Sequence, residues 1–178
     1  HIQMILQYFI KNENKDKKLA NDIYLDLVNL AKEIFAKEDL HLKKDFNSSF
    51  ELMSFFIFAI FYSYKGQNSF KKTNQEIMNL YILDLDKSFR EFGIGDTQIG
   101  KYVKSYVKKI YYRIKILENI FEKNSQIDFY NFLNKIDISV KNENNKKLSI
   151  FLFNTIKKLL KRAENNNLSN NILKKLIK

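Results

Sequence analysis

Apolar side chains recur at three- and four-residue steps along much of the chain, the spacing that puts them on one face of a helix. Leu19, Ala20, Ile23, Tyr24, Leu27, Leu30, Ala31 and Ile34 predict an amphipathic helix over Leu19–Phe35. Lys37–Asn47 is polar and reads as a loop. Ser48 with Glu51 three residues on has the form of a capping box, which predicts a helix start there. The run that follows, Leu52 to Tyr62, is apolar on every face. Its eleven residues would span roughly 16 Å as a helix, against a hydrocarbon core of about 30 Å. That is too short to cross a bilayer, so the run is predicted to be the central buried helix of a bundle. The rival reading is a segment that touches membrane or client.

Thr73 with Glu76 forms a second capping-box pattern after a loop from Gly66 to Lys72. On the helix it opens, Ile77, Met78, Tyr81, Leu85, Phe89 and Phe92 gather on one side, and Asp86 and Arg90 point away from them. A second long helix carries the cleanest apolar stripe: Ile99, Val103, Tyr106, Val107, Ile110, Ile114, Leu117 and Phe121. Lys101, Lys104, Lys108 and Lys115 share its opposite face with Tyr112. A shorter helix is predicted over Asp128–Ile136, followed by a polar break at Ser139–Asn145. Two basic amphipathic helices then close the chain, around Lys146–Ala163 and Ser169–Ile177. No stretch alternates as a strand does, and no segment repeats. The expected fold is all-α, a single helical bundle of about six to eight helices. Residues 1–140 would form the main domain, with the basic helices of 141–178 packed on it.

Between the two long helices lies the sharpest local signal. The chain has no proline and four glycines, three of which (Gly93, Gly95 and Gly100) fall within eight residues. Glycine accepts positive φ and terminates helices, so the cluster predicts one tightly specified turn with Gly93 or Gly95 at positive φ. Asp96 is placed to cap the next helix through its carboxylate.

Composition narrows the chemistry. The 178 residues are 45% hydrophobic and 15% aromatic, enough for a folded core in one domain. There is no cysteine, which excludes disulfides and thiolate metal sites. No secretory signal is recognisable, and the chain begins at His1 rather than methionine. His41 has no second histidine at ligand spacing and reads as a loop residue. Asp84 and Asp86 lie two apart on a helix and cannot converge on one ion. Gly93-Ile94-Gly95 follows a helix rather than a strand and lacks a Gly-Lys-Ser/Thr ending, so it is not a phosphate loop. No nucleophile elbow is present. The expectation is a non-enzymatic protein with no cofactor, no metal and no small-molecule substrate.

Charge is unevenly spread. Residues 1–100 hold 13 Lys+Arg against 14 Asp+Glu, whereas residues 101–178 hold 18 against 6, so the whole excess of the +11 net charge lies after the glycine turn. Richness in Lys, Asn, Ile, Phe and Tyr has the look of an AT-rich genome, which weakens lysine number as an argument. Position is stronger, since a continuous positive strip suits an acidic protein surface, a phosphate backbone or anionic headgroups. A solvated helix exterior accounts for the same lysines. Asp86 with Arg90, and Lys87 with Glu91, are i,i+4 pairs that stabilise a helix by a few tenths of a kcal/mol.

The segment Asp84–Asp96, with its acidic residue, Arg90-Glu91 pair and Gly93-Ile94-Gly95-Asp96 turn, resembles the signature of the ubiquinol–cytochrome c chaperone family. The similarity continues into the basic helix that ends in Tyr111-Tyr112-Arg113. It extends more weakly upstream through Ile23–Val28 and Asp45 to Phe50-Glu51-Leu52, and downstream to about Asp137. Ser49 stands where the family often has a basic residue. The resemblance implies a bacterial assembly chaperone that binds newly made cytochrome b and supports assembly of the ubiquinol–cytochrome c reductase complex. It would work in the cytoplasm, peripheral to the inner membrane. The implied contact face comprises Asp86, Arg90, Glu91, Gly93, Gly95, Asp96, Lys101, Lys104, Lys108, Tyr112 and Arg113. Further partners implied are the ribosome, a second assembly factor and an anionic membrane surface. The alternatives from charge alone are an RNA- or ribosome-binding module and a peripheral membrane scaffold.

Overall fold

The computed structural model describes residues 2–140 and 142–164. Six α-helices carry the chain: α1 (Ile2–Phe35), α2 (Phe46–Ser63), α3 (Lys71–Glu91), α4 (Asp96–Glu122), α5 (Gln126–Ile136) and α6 (Asn145–Glu164). Short 3-10 turns precede α2, α3 and α6. There is no strand among the described residues, only an isolated bridge between Leu42 and Ser139, so the all-α expectation holds. The predicted helix over Ser169–Ile177 lies outside the described residues.

The described residues group into two units: those up to residue 25 with 66–107, and residues 26–65 with those from 108 to 164. In the first unit Ala20, Ile23 and Tyr24 of α1 are buried, as are Ile77, Met78, Tyr81, Leu85 and Phe89 of α3 and Ile99 of α4. Phe89 packs against Tyr102 and Tyr106 of α4, with ring centroids 5.7 and 5.1 Å apart. Phe92, expected on the same apolar side, is instead 61% exposed. It is the helix C-cap, where the backbone leaves the helical path, so the 100° stepping that placed it inward no longer applies.

The second unit is built around α2. Every residue from Phe50 to Ile60 is buried, so the predicted run Leu52–Tyr62 is enclosed except at its last two residues, Phe61 and Tyr62, which are half-buried. The helix is longer than that run, 18 residues or about 27 Å. It is the one helix among the described residues long and apolar enough to cross a membrane by length and composition, yet 67% of it is buried in protein. Phe55 packs edge-on against Phe129 of α5, and Phe121 of α4 stacks on Phe153 of α6 at 4.8 Å.

Neither capping box forms. Asp45 caps α2 by accepting from the Ser48 N–H at 2.8 Å, while the Ser48 hydroxyl is buried without a partner. Helix α3 begins two residues before Thr73, which is buried and donates to Asp16 at 3.4 Å. In both places an upstream start turns the expected cap into an interior position.

Candidate functional site

The turn between α3 and α4 belongs to the first unit and is fastened in two ways. Its backbone closes a Schellman motif, in which the Ile94 N–H donates to the Phe89 carbonyl and the Gly93 N–H to the Arg90 carbonyl. This geometry needs a left-handed residue at the position after the C-cap. Gly93 supplies it with φ of +79°, while Gly95 has an ordinary negative φ. The Gly95 carbonyl then accepts from the N–H groups of Gln98 and Ile99, opening α4.

The second fastening is ionic. The Arg90 Nε donates to Asp86 Oδ2 at 2.5 Å, and its Nη1 reaches Asp96. The Asp96 carboxylate is thus engaged by Arg90 across the turn instead of capping α4, as the sequence pattern predicted. Hydrogen bonds first to Asp86 and then to Asp96 raise the Arg90 pKa above its usual value. All three side chains remain in contact with solvent, so the cluster offers a charged surface as well as a clasp. Glu91, Gly93 and Gly95 are exposed beside it. Along α4 in the same unit, Lys101 and Lys104 project outward, and Lys101 lines a cleft of about 400 Å³ with Gln98, Tyr102 and Ser105.

In the second unit, α4 presents Lys108 and Lys115 with Tyr111 and Tyr112, all exposed. Arg113 is placed differently. Its Nε and Nη2 each donate at 2.8 Å to the two carboxylate oxygens of Glu51, whose side chain has no exposed surface. Lys109 adds a contact at 3.3 Å to Glu51 Oε1 and lies 4.7 Å from the Phe50 ring centre. The guanidinium carbon of Arg113 sits 5.3 Å from the Phe132 ring centre. Arg113, expected on the contact face, therefore ties α4 to α2 inside its unit.

Two such internal pairs escape a reading of the sequence. Glu51 follows Phe50 and opens a run with no polar face, so a carboxylate there has to be buried and matched by a cation. The partner carries a signal of its own, because only three of the 31 basic residues are arginine, the side chain suited to bidentate carboxylate pairing. The other pair is Tyr24, whose hydroxyl donates to Asp84 Oδ2 at 2.5 Å across 60 residues of sequence. Burial, then this hydrogen bond, raises the Tyr24 pKa. Asp84 and Asp86 serve separate partners, in agreement with their opposed directions on the helix. Among the described residues no group of three or more His, Asp and Glu side chains could hold a metal ion.

Comparison with known proteins follows the same elements. No curated protein matches the sequence significantly. Among solved structures, a Cbp3 homolog from Brucella abortus shares the fold with a TM-score of 0.75, at 22% identity over 94% of each chain. The sequence model of the ubiquinol–cytochrome C chaperone family matches residues 38–129, which contain α2, α3, the glycine turn, α4 and both partners of the Glu51–Arg113 pair. That span is more than half of the chain, and the protein belongs to the ubiquinol–cytochrome c chaperone family.

Proposed function

We propose that this chaperone holds newly made cytochrome b at the inner-membrane surface until the ubiquinol–cytochrome c reductase complex can accept it. The observation that carries the reading is the family match over residues 38–129, which includes the turn and the helix that follows it. Membership gives a chaperone role in assembling that complex. Cytochrome b as client, and a cytoplasmic place against the membrane, extend it. The protein's work is to bind and release without chemistry.

In this account the buried helices form rigid supports, and exposed charge on them makes the contacts. In the first unit, the Asp86–Arg90–Asp96 clasp fixes the direction in which Lys101 and Lys104 leave the start of α4. In the second unit, Lys108, Lys115 and the two exposed tyrosines offer cationic and aromatic contacts. Such side chains recognise acidic loops of a client or phosphate groups on a ribosome, with an affinity that falls as salt rises. A second assembly subunit and the anionic membrane surface are the further partners proposed.

The test is association during synthesis. Pulse-labelled cytochrome b should co-purify with the tagged protein and leave it during a chase as the assembled complex gains label. If RNA co-purifies in a salt-dependent way while labelled cytochrome b does not, the basic surface serves nucleic acid and the client assignment fails.

A further inference from the structure

A groove in the second unit lies outside both the charged face and most of the family-matched span. It has a volume of about 630 Å³ and is lined by Gln126, Ile127 and Tyr130 from α5 and by Lys146, Ser149 and Ile150 from α6. Ile127 is 64% exposed and Ile150 40% exposed, an unusual pair of aliphatic side chains to leave facing water together. Three polar features stand beside them. Lys146 is exposed and makes no ion pair with the described residues, whereas its neighbour Lys147 is held by Asp39. Ser149 is 1% exposed, and its hydroxyl has no hydrogen-bond partner. Lys146 stands in the first turn of the 20-residue α6, where the helix dipole favours an anion, and Ser149 and Ile150 follow in the second turn.

We infer that this groove binds a single-chain anionic amphiphile such as a fatty carboxylate. The apolar chain would cover Ile127, Ile150 and the Tyr130 ring. The carboxylate would lie at Lys146 and the start of α6, within reach of the Ser149 hydroxyl after rotation about its Cα–Cβ bond. Charge supports an anion, since Lys146 is the one charged side chain among the described residues that line the groove, and Lys147 beside it is already matched by Asp39. Asp128, the acidic residue in the first turn of α5, is not part of the lining. Size supports a small ligand, because a volume of this order is that of ligand pockets. The inference is independent of the client of the chaperone.

The test uses the full chain and laurate below its micellar concentration. Methyl NMR should show laurate shifting Ile127 and Ile150 while leaving exposed Leu25 and Leu83 unmoved. Dodecanol should bind more weakly. Lys146→Glu should weaken laurate by about fivefold or more, and Ile150→Glu should abolish the shifts, with both variants melting like the parent. Vesicles of phosphatidylglycerol test the rival occupant. Laurate binding without flotation supports a free fatty carboxylate, and co-flotation that both variants lose would put a bilayer surface there and overturn the single-chain ligand. Absence of shifts, equal shifts at Leu25 and Leu83, or insensitivity to both variants overturns the inference. So do concentration-dependent Ile127 and Ile150 shifts before laurate is added, which put a second copy there. Contacts from those methyls to another part of the chain would show the groove already filled and would overturn it as well.

Discussion

Glu51 and Arg113 form a two-pronged ion pair, both bonds 2.8 Å long, with the carboxylate wholly inside the second unit. An unpaired charge at such a site is costly, so removing one partner hurts more than removing both. Arg113→Met leaves Glu51 with Lys109 alone, 3.3 Å away, and should lower unfolding free energy by about 3 kcal/mol, the low end for a broken buried pair. The double variant Glu51→Leu with Arg113→Met should recover much of that loss. Urea denaturation of the parent and the three variants, including Glu51→Leu alone, measures it. Additive single losses would mean the pair is not coupled.

Phe56 has no exposed surface on α2. Phe56→Asp would bury a carboxylate with no cation beside it, and the protein should fail to fold at ambient temperature. A circular-dichroism melt resembling the parent's would place α2 at the surface and restore a client-touching role for it.

The glycines should separate by backbone geometry. Gly93→Val forces a β-branched residue into φ of +79° and should cost more than about 1 kcal/mol. Gly100 lies inside α4 with open space where a Cβ would sit, so Gly100→Ala should stabilise by about 0.5–1 kcal/mol. Melting both variants beside the parent checks the opposite signs.

The Tyr24–Asp84 bond makes a pH prediction. Burial and that hydrogen bond raise the folded pKa of Tyr24 above its ordinary value of 10.0. The proton is therefore lost more readily from the unfolded chain, and the bond's contribution is present below pH 10 and declines as pH rises beyond it. Tyr24→Phe should be less stable than the parent at neutral pH and should lose less stability between pH 9 and 11. Parallel urea titrations at those pH values give the comparison, and identical slopes would contradict it. Tyr64, also raised by burial, adds its own alkaline slope in both proteins.

Arg90 and the lysines of α4 should part company. Reversing Arg90 to Glu sets three carboxylates around one turn and should lower the melting temperature. Lys101→Glu with Lys104→Glu changes exposed positions only and should melt normally. Loss of cytochrome b assembly with the lysine variant, at an unchanged melt, would mark those lysines as a contact. Normal assembly would leave them as solvated exterior.

Periodicity makes the helices legible. The stripe from Ile99 to Phe121 and the run from Leu52 to Tyr62 leave few alternatives to two long helices, one of them central. The glycine cluster locates the turn and the need for positive φ. Local patterns mislead at helix starts, where Asp45 and a 3-10 turn take over before Ser48 and Thr73 can act. Pairings such as Tyr24–Asp84 and Glu51–Arg113 depend on which helices meet, and a single sequence carries that only indirectly. Arg113 illustrates the limit, since its position on a basic helix suggests surface and only its partner on α2 places it inside.

The most direct measurement is of cytochrome b itself. Deleting the gene in its own host, then restoring it, should abolish and recover the b-type haem absorbance and the cytochrome b protein of the ubiquinol–cytochrome c reductase, with its messenger RNA unchanged. If the deletion strain accumulates normal cytochrome b in an assembled complex, the account of this protein as the chaperone of cytochrome b is wrong.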